Sequence, residues 1–104
     1  MKILAIEFSS DYRSVAVLDG DRLLAAQTVT EGRNTAAVQL IESALGQAEV
    51  GRSEIECIAV GIGPGSYTGI RAAIALTQGW QLAHGVKVLA VDSLEALAKG
   101  EQVA

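Results

Sequence analysis

The sequence predicts an α/β domain built on a five-stranded mixed sheet, and three observations support this prediction. An antiparallel meander of three short strands opens the chain, apolar strands then alternate with helical stretches, and no repeat or linker interrupts the order. Such an arrangement places all the strands in one sheet and the helices on one or both of its faces. The predicted element order is β-β-β-α-β-α-β-α.

The meander is predicted from an apolar run and an alternating hairpin. Residues 2–8 are almost continuously apolar, which is typical of a strand buried on both faces. Residues 14–18 alternate and residues 22–29 return as a third strand, while Asp19-Gly20 between them predicts a type I′ turn. Because this turn is short, we expect the second and third strands to pair in antiparallel order.

Five further elements follow, and several of them have a terminus signal. Their predicted ranges are 35–48 for a first helix, 56–62 for a strand, 67–84 for a second helix, 86–91 for the fifth strand and 92–99 for the start of a third helix. Asn34 or Thr35 can cap the first helix, and Gly51 ends that unit. Gly85 is the expected C′ residue of the second helix.

Composition and charge exclude several classes of protein. Half of the 104 residues are hydrophobic and 19% are charged, so the chain can bury a core and is not expected to be disordered. The net charge of −4 argues against direct binding of a nucleic-acid backbone, which needs clustered Lys and Arg. The single cysteine, Cys57, cannot form an internal disulfide, and no signal-peptide core or membrane span is expected. We therefore expect a cytoplasmic protein without membrane contact.

The stretch GIGPGSYTGIR, residues 61–71, allows two interpretations. Gly63, Gly65 and Ser66 precede the second helix, whose unpaired N–H groups and partial positive charge can bind an anion. A Walker loop, however, needs lysine after its last glycine, where this chain has Ile70, and the G-x-G-x-x-G fingerprint also fails. A tight strand-to-helix connection is the favoured interpretation, and phosphate binding is the alternative.

Other candidate catalytic residues lack the partners that catalysis needs. Glu7 ends the first strand and Ser9 follows it closely, but an ordinary polar strand terminus is favoured there over a ligand site. His84 is the one histidine and forms no HExxH pair, while Cys57 is expected to be a small buried hydrophobe. Ser66 does not lie in a G-x-S-x-G nucleophile elbow. No metal site and no complete catalytic constellation are expected.

The second helix is unusual because small and apolar residues surround most of its circumference. In AAIALTQGWQLA, residues 72–83, Gly79 costs the helix about 1 kcal/mol relative to alanine. A helix that is apolar all round is buried, either in its own core or against another chain. Both possibilities remain open, and Gly69, Ala72 and Ala73 would permit another helix to approach closely.

Four blocks of the sequence resemble the TsaB family, which is also called YeaZ. They are ILAIEFSS, SVAVLDGDRLL, IAVGIGPGSYTGIR and VLAVDSLEALA, in that order, and together they extend over essentially the whole chain. The third block contains the most specific match, the family motif GPGS-aromatic-TG-aliphatic-R. Its matching residues are Gly63, Pro64, Gly65, Ser66, Tyr67, Thr68, Gly69 and Arg71.

The resemblance implies a fold, a domain organisation and a role in tRNA modification. Family members have two lobes of the actin and sugar-kinase-like (ribonuclease H-like) fold, and residues 1–104 are similar to the N-terminal lobe alone. TsaB proteins act in making threonylcarbamoyladenosine next to the tRNA anticodon, as non-catalytic partners of the transferase TsaD. The ATPase TsaE joins that complex, and homodimers form.

The same resemblance implies where cofactors and tRNA bind. ATP and a divalent metal are expected on the partner proteins, no cofactor is expected on this lobe alone, and tRNA is expected to be contacted only through the complex.

Two departures from the family pattern favour a scaffold over an enzyme. Residues 7–10 read EFSS where the superfamily has an aspartate in a DTS-like turn, and residues 34–36 read NTA where many members have a His-Ser-Glu-like segment.

The leading hypothesis is therefore a protein that supports a tRNA-modifying enzyme through the surface of its first two helices. The residues expected at that partner surface are Thr35, Val38, Ile41, Tyr67, Ile70, Ala73, Leu76 and Trp80. The alternative is the nucleotide-binding half of an actin or sugar-kinase-like ATPase or phosphotransferase. That alternative would use Glu7, Ser9, Gly63, Gly65 and Ser66.

Overall fold

The structure, a computed structural model, describes residues 1–8, 12–30, 37–62 and 67–91. Within those ranges it confirms the predicted five strands and two long helices. The elements are β1 (Lys2–Glu7), β2 (Tyr12–Asp19), β3 (Arg22–Thr30), α1 (Ala37–Ala48), β4 (Cys57–Gly61), α2 (Tyr67–His84) and β5 (Lys87–Val91), with a turn of 3₁₀ helix at Arg52–Glu54 between α1 and β4.

The sheet is mixed, with strand order β3-β2-β1-β4-β5. The meander pairs antiparallel, with Leu4 opposite Val17, and β1 then pairs in parallel with β4, where Leu4 lies beside Ile58. β5 pairs in parallel with β4. Two-residue turns can join only antiparallel neighbours, whereas a parallel neighbour requires a crossover, here formed by α1 and α2. The predicted topology is therefore confirmed.

Element boundaries differ slightly from the prediction. β2 begins two residues earlier than predicted because Tyr12 pairs with Thr30 at the open end of the hairpin. The predicted third helix at 92–99 and the predicted caps Asn34 and Thr35 lie outside the described residues.

The hairpin turn differs in type from the prediction. Asp19 pairs with Arg22, so the two central residues are Gly20 and Asp21. Gly20 has a φ of 64°, and Glu49 is the one non-glycine residue with positive φ in the described part of the chain. Positive φ at the first central residue alone is the pattern of a type II′ turn, which prefers glycine there. The predicted type I′ turn is therefore wrong, although the hairpin itself is confirmed.

Both described helices pack on the same face of the sheet. The buried residues of this core come from the sheet (Leu4, Ile6, Val15, Val17, Ile58, Val60), from the helices (Leu40, Ile41, Ala44, Leu45, Ala73, Trp80) and from the segments that connect them (Phe8, Val50, Ile55, Val86). A second buried cluster on the opposite face contains Ala5, Leu18, Ala59 and Val91 and no described helical residue. The sequence left open whether helices cover one or both faces of the sheet. The described helices cover one face.

Gly69 places the first turn of α2 directly on the end of β1. A Cβ atom at this position would lie 1.8 Å from the carbonyl oxygen of Phe8, and Phe8 is itself fully buried. No side chain fits in that space without moving backbone, so the close contact requires glycine. This supports the interpretation of the glycine-rich stretch as a tight connection between strand and helix.

The C-terminus of α1 adopts a Schellman motif with an unusual residue in its left-handed position. The N–H of Val50 donates to the carbonyl of Leu45 (3.0 Å), and the N–H of Glu49 donates to that of Gly46 (3.2 Å). Glu49 therefore occupies C′, with a φ of 58°. Gly51, predicted to end this unit, instead has extended backbone and begins the 3₁₀ turn.

We expect Glu49→Gly to raise the free energy of unfolding by about 0.5–1 kcal/mol, because a left-handed φ strains every residue that has a Cβ. Gly85→Ala is the matched control. Gly85 has the same role after α2, with a φ of 66°, and its substitution should lower the free energy of unfolding by about 1 kcal/mol. Urea denaturation followed by far-UV circular dichroism measures the change in the free energy of unfolding for each variant. Changes of the same sign in the two variants would contradict the prediction.

Candidate partner-docking face

The inner stripe of α2 faces the chain's own core. Ala73, Thr77 and Trp80 are 0%, 2% and 9% exposed, and on α1 Ile41 is 1% exposed. Ile41, Ala73 and Trp80 were expected at a partner surface, and their burial contradicts that assignment. The physical reason is that the sheet is the nearest apolar surface, so the bulkiest apolar stripe of each helix packs on it.

The remaining residues of the predicted partner surface differ in how exposed they are to solvent. Val38 is 51% exposed on α1, whereas Ile70 and Leu76 are half-buried on α2. Thr35 lies outside the described residues, and Tyr67 begins α2 but its side chain is not among those described. Among the members of the predicted set whose side chains the structure describes, only Val38 is exposed.

The opposite stripe of α2 faces solvent. Ala75, Gly79 and Leu82 recur at helical spacing on the side away from the buried stripe, and Leu82 is 91% exposed. On α1, Val38 and Gly46 are also exposed. We refer to these five residues as the outer helical face.

Two glycines of the outer helical face have room for a larger side chain in the described part of the chain. A Cβ added at Gly46 or at Gly79 would meet no atom of the described residues within 4 Å, apart from the backbone of its own helix. Each glycine nevertheless costs its helix about 1 kcal/mol relative to alanine. Glycine and alanine on an exposed helix allow a second helix to approach closely, so this pattern is typical of a helix-packing surface.

Arg52 links the two helices through its side chain. Its guanidinium forms an ion pair with Glu42 of α1 and lies 5.7 Å from the centre of the Trp80 ring of α2. The ion pair is about half-exposed, so it contributes little to stability by itself. The Trp80 indole N–H is buried without a hydrogen-bond partner among the described residues, which costs stability unless the surrounding packing compensates.

The residues of the alternative nucleotide site are only partly described. Glu7 is half-buried at the end of β1, and its carboxylate occupies the space in which a Cβ at Gly61 would lie. Ser9, Gly63, Gly65 and Ser66 lie outside the described residues. Among the described residues, no three His, Cys, Asp or Glu side chains are grouped as metal ligands would be. The nucleotide hypothesis therefore stays a prediction.

Cys57 is a buried free cysteine on β4, as the sequence analysis expected. Burial raises the pKa of its thiol above the ordinary value of 9.0, and the nearby Lys87 ammonium partly opposes this change. The folded chain therefore holds the thiol neutral at pH values at which the unfolded chain already forms thiolate.

We expect the free energy of unfolding to fall as the pH rises above the ordinary thiol pKa. The stability from the raised pKa is fully present below the unfolded-state pKa, and it is lost as the pH rises through the folded-state pKa. Cys57→Ala should remove this pH-dependent contribution to the free energy of unfolding. Urea denaturation at pH 7, 8, 9 and 10 measures it, and identical pH profiles for the two proteins would contradict the prediction.

Sequence reasoning missed Ala75, Gly79 and Leu82 as candidate docking residues. It selected the most apolar stripe of each helix, and that stripe is the one that the chain's own sheet covers. A usable signal was present, because Gly79 and the large apolar Leu82 lie on the side of α2 opposite Trp80. On a helix with two apolar stripes, the stripe with small residues is the better candidate for a second partner.

Comparisons with known proteins identify the family. A sequence model described as TsaD: tRNA N6-adenosine threonylcarbamoyltransferase matches residues 29–104. The solved structure of YeaZ from Pseudomonas aeruginosa superposes on 95% of this chain with a TM-score of 0.81 and 34% identity. The tRNA threonylcarbamoyladenosine biosynthesis protein TsaB of Bacillus subtilis is 33% identical over 94% of this chain. The chain belongs to the TsaB (YeaZ) family.

The chain spans less than half the length of these TsaB and YeaZ proteins, 44% of the Bacillus subtilis protein and 46% of the Pseudomonas aeruginosa chain. A ROK hexokinase from Thermus thermophilus superposes on 86% of this chain and 33% of its own, with a TM-score of 0.54 and 21% identity. That likeness shows the fold alone, and it confirms the sugar-kinase-like architecture expected for TsaB proteins. None of the described helices is long and apolar enough to cross a membrane.

Proposed function

We propose that this chain is a non-catalytic partner in the synthesis of threonylcarbamoyladenosine in tRNA, and that it docks onto a TsaD-type transferase. The outer helical face is the observation that carries the proposal. It presents an almost fully exposed leucine, Leu82, and two helix glycines, Gly46 and Gly79, at which an added Cβ would meet no atom of the described residues within 4 Å outside its own helix backbone. The Bacillus subtilis relative, a tRNA threonylcarbamoyladenosine biosynthesis protein, supplies the pathway.

The chemistry of the outer helical face favours packing against another helix over binding of a small molecule or of tRNA. Gly46, Ala75 and Gly79 allow two helix axes to approach closely, while Val38 and Leu82 supply apolar area. The net charge of −4 disfavours direct contact with a phosphate backbone. In this proposal the transferase and a TsaE-type ATPase hold the ATP, the divalent metal and the tRNA.

The test measures binding of the chain to the TsaD protein of the same organism by isothermal titration calorimetry. Leu82→Glu and Gly79→Leu should each weaken binding at least tenfold, because one places a charge and the other a bulky side chain in the packed interface. Leu23→Glu is the matched control, since Leu23 is 56% exposed on β3, in the hairpin and away from the helices. It should leave the affinity unchanged.

Circular dichroism and thermal melts of each variant show whether it is folded, so that loss of binding is not confused with loss of structure.

Ala73→Glu is unsuitable as a test because Ala73 is fully buried and its substitution would unfold the chain. Equal affinity for the parent chain, Leu82→Glu and Gly79→Leu would overturn the proposed docking face. Absence of any binding by the parent chain would overturn the proposed partnership.

A further inference from the structure

β5 is an edge strand of the described sheet, and part of its backbone points away from β4. Among the described residues no strand lies beyond it in the sheet order. The N–H of Lys87 donates to the carbonyl of Glu56 (3.1 Å) in the ladder with β4. In a parallel ladder, residues that bond to one neighbour alternate with residues whose N–H and C=O both point to the other side. Val88 and Ala90 therefore direct two donors and two acceptors away from the sheet.

An apolar groove follows the same edge on the helical face of the sheet. It has a volume of about 260 Å³ and lies between the strands and the flank of α2. Among the residues that line it are Val60, Val88, Ala90, Ile74, Gln78 and Gln81. Every described residue that lines the groove is uncharged, so the groove favours apolar side chains and disfavours charged ones.

The opposite face of β5 carries a second apolar position and a cation. Leu89 is 48% exposed there. Lys87, two residues earlier, is also exposed, and its ammonium forms no ion pair with a described carboxylate. The edge therefore combines outward backbone groups, an apolar groove on one face, and an apolar residue followed by a cation on the other.

We propose that β5 binds an extended peptide segment of another protein, added to the sheet in antiparallel order, with the sequence apolar–apolar–apolar–acidic. In strand addition of this kind, main-chain hydrogen bonds supply the affinity and alternate side chains supply the specificity. The four peptide positions lie opposite Ala90, Leu89, Val88 and Lys87, in that order. The site lies beside the outer helical face, on another flank of α2, and it does not depend on the proposed function.

The register follows from the directions of the backbone groups. Positions one and three lie opposite Ala90 and Val88, and each such pair exchanges two hydrogen bonds, which satisfies all four outward groups. Opposed residues point their side chains to the same face of a sheet, so these two side chains enter the groove. The second side chain lies on the other face, against Leu89.

Charge complementarity fixes the direction of the peptide. The fourth position lies opposite Lys87 in a non-hydrogen-bonded pair, where Cβ atoms approach to about 5 Å, so a carboxylate there pairs with the ammonium. In the parallel orientation the same carboxylate would lie at the other end of β5, beside Val91. The net charge of −4 disfavours acidic peptides elsewhere on the chain, so Lys87 determines where the acid binds.

Fluorescence anisotropy of the labelled peptide Ser-Val-Leu-Val-Glu-Ser, titrated with the 104-residue chain, tests the proposal. The peptide should bind with a dissociation constant below about 1 mM. Ser-Val-Leu-Val-Lys-Ser should bind at least fivefold more weakly, and Lys87→Glu should reverse this preference. A merely structural role of Lys87 would not reverse it. Absence of binding by the parent chain, or an unchanged preference in Lys87→Glu, overturns the proposal.

Methylated peptides test the register without changing the chain. N-methylation at the third position removes the N–H that donates to the carbonyl of Val88, so it should weaken binding at least tenfold. N-methylation at the second position is the matched control, because that N–H points away from β5, and it should leave the affinity unchanged. The reverse result would overturn the register.

Two chain variants locate the site. Ala90→Pro should weaken peptide binding at least tenfold, because it removes an outward N–H and leaves the ladder with β4 intact. Leu82→Glu, on the outer helical face, should leave the affinity for the peptide unchanged, and circular dichroism shows whether each variant is folded. Loss of binding in Leu82→Glu alone would place the peptide on the helices and overturn the proposal. Because the assay contains no transferase, its outcome is independent of the proposed function.

Discussion

Replacing Gly69 with alanine should lower the free energy of unfolding by about 1–3 kcal/mol or more, the range for forced overpacking. The added methyl group would lie 1.8 Å from the carbonyl oxygen of Phe8, and that oxygen cannot turn aside because it belongs to buried backbone. The first turn of α2 would have to lift from the sheet and lose contacts with β1. Urea denaturation measures the effect.

Gly79→Ala is the control for Gly69→Ala, because it makes the same substitution in the same helix. A Cβ at Gly79 meets no described atom outside its own helix backbone within 4 Å, so helix propensity dominates there. The variant should be more stable by up to about 1 kcal/mol. The two substitutions therefore have opposite predicted signs. Equal changes in stability would mean that the contact between Gly69 and Phe8 does not hold α2 on the sheet.

Replacing Trp80 with alanine should lower the free energy of unfolding by about 3–5 kcal/mol, as is usual when a large buried aromatic residue is truncated. The indole packs in the main core and supports the guanidinium of Arg52, which is paired with Glu42 of α1. Its loss opens a cavity between α2 and the sheet. Because a domain of this size is stable by about 5–15 kcal/mol, the variant should be partly unfolded near 37 °C.

Trp80→Phe separates packing from the polar atom of the indole. Phenylalanine keeps a ring in the core and removes a buried N–H that has no hydrogen-bond partner in the part of the chain that the structure describes. This variant should therefore lose much less stability than the alanine variant. Far-UV circular dichroism is the suitable signal for unfolding, because Trp80 is the one tryptophan and both variants therefore lack tryptophan fluorescence. If the alanine variant stayed fully stable while binding of the transferase fell, Trp80 would belong to a partner surface and not to the core.

The order of elements was predictable because hydrophobic period and turn residues are local signals. The alternation around Asp19 and Gly20 located the hairpin, and Gly85 located the end of α2. The turn type was not predictable, since it depends on which residue of β3 pairs with Asp19. The last residue of α1, Ala48, was predicted, but its C′ residue was not, because no sequence rule expects a glutamate, Glu49, in left-handed backbone.

The candidate docking residues were less predictable than the fold for a physical reason. Apolar periodicity reports that a stripe is buried, but it does not report whether the chain's own sheet or another protein buries it. On α2 the stripe with Ala73 and Trp80 belongs to the core, and Gly79 and Leu82 belong to the opposite side. Only the packing of α2 on the sheet shows which of its two stripes belongs to the core.

Two neighbouring residues, Glu7 at the end of β1 and Phe8 directly after it, each depend on a distant glycine. The carboxylate of Glu7 fills the space beside Gly61, and the carbonyl of Phe8 fills the space beside Gly69. A side chain at position 61 and the present placement of the Glu7 carboxylate exclude each other, because both need the same volume. Substitutions at 7 and 61 are therefore coupled. Shortening the acid to aspartate should make alanine acceptable at 61, so that in evolution the two positions can change most easily together.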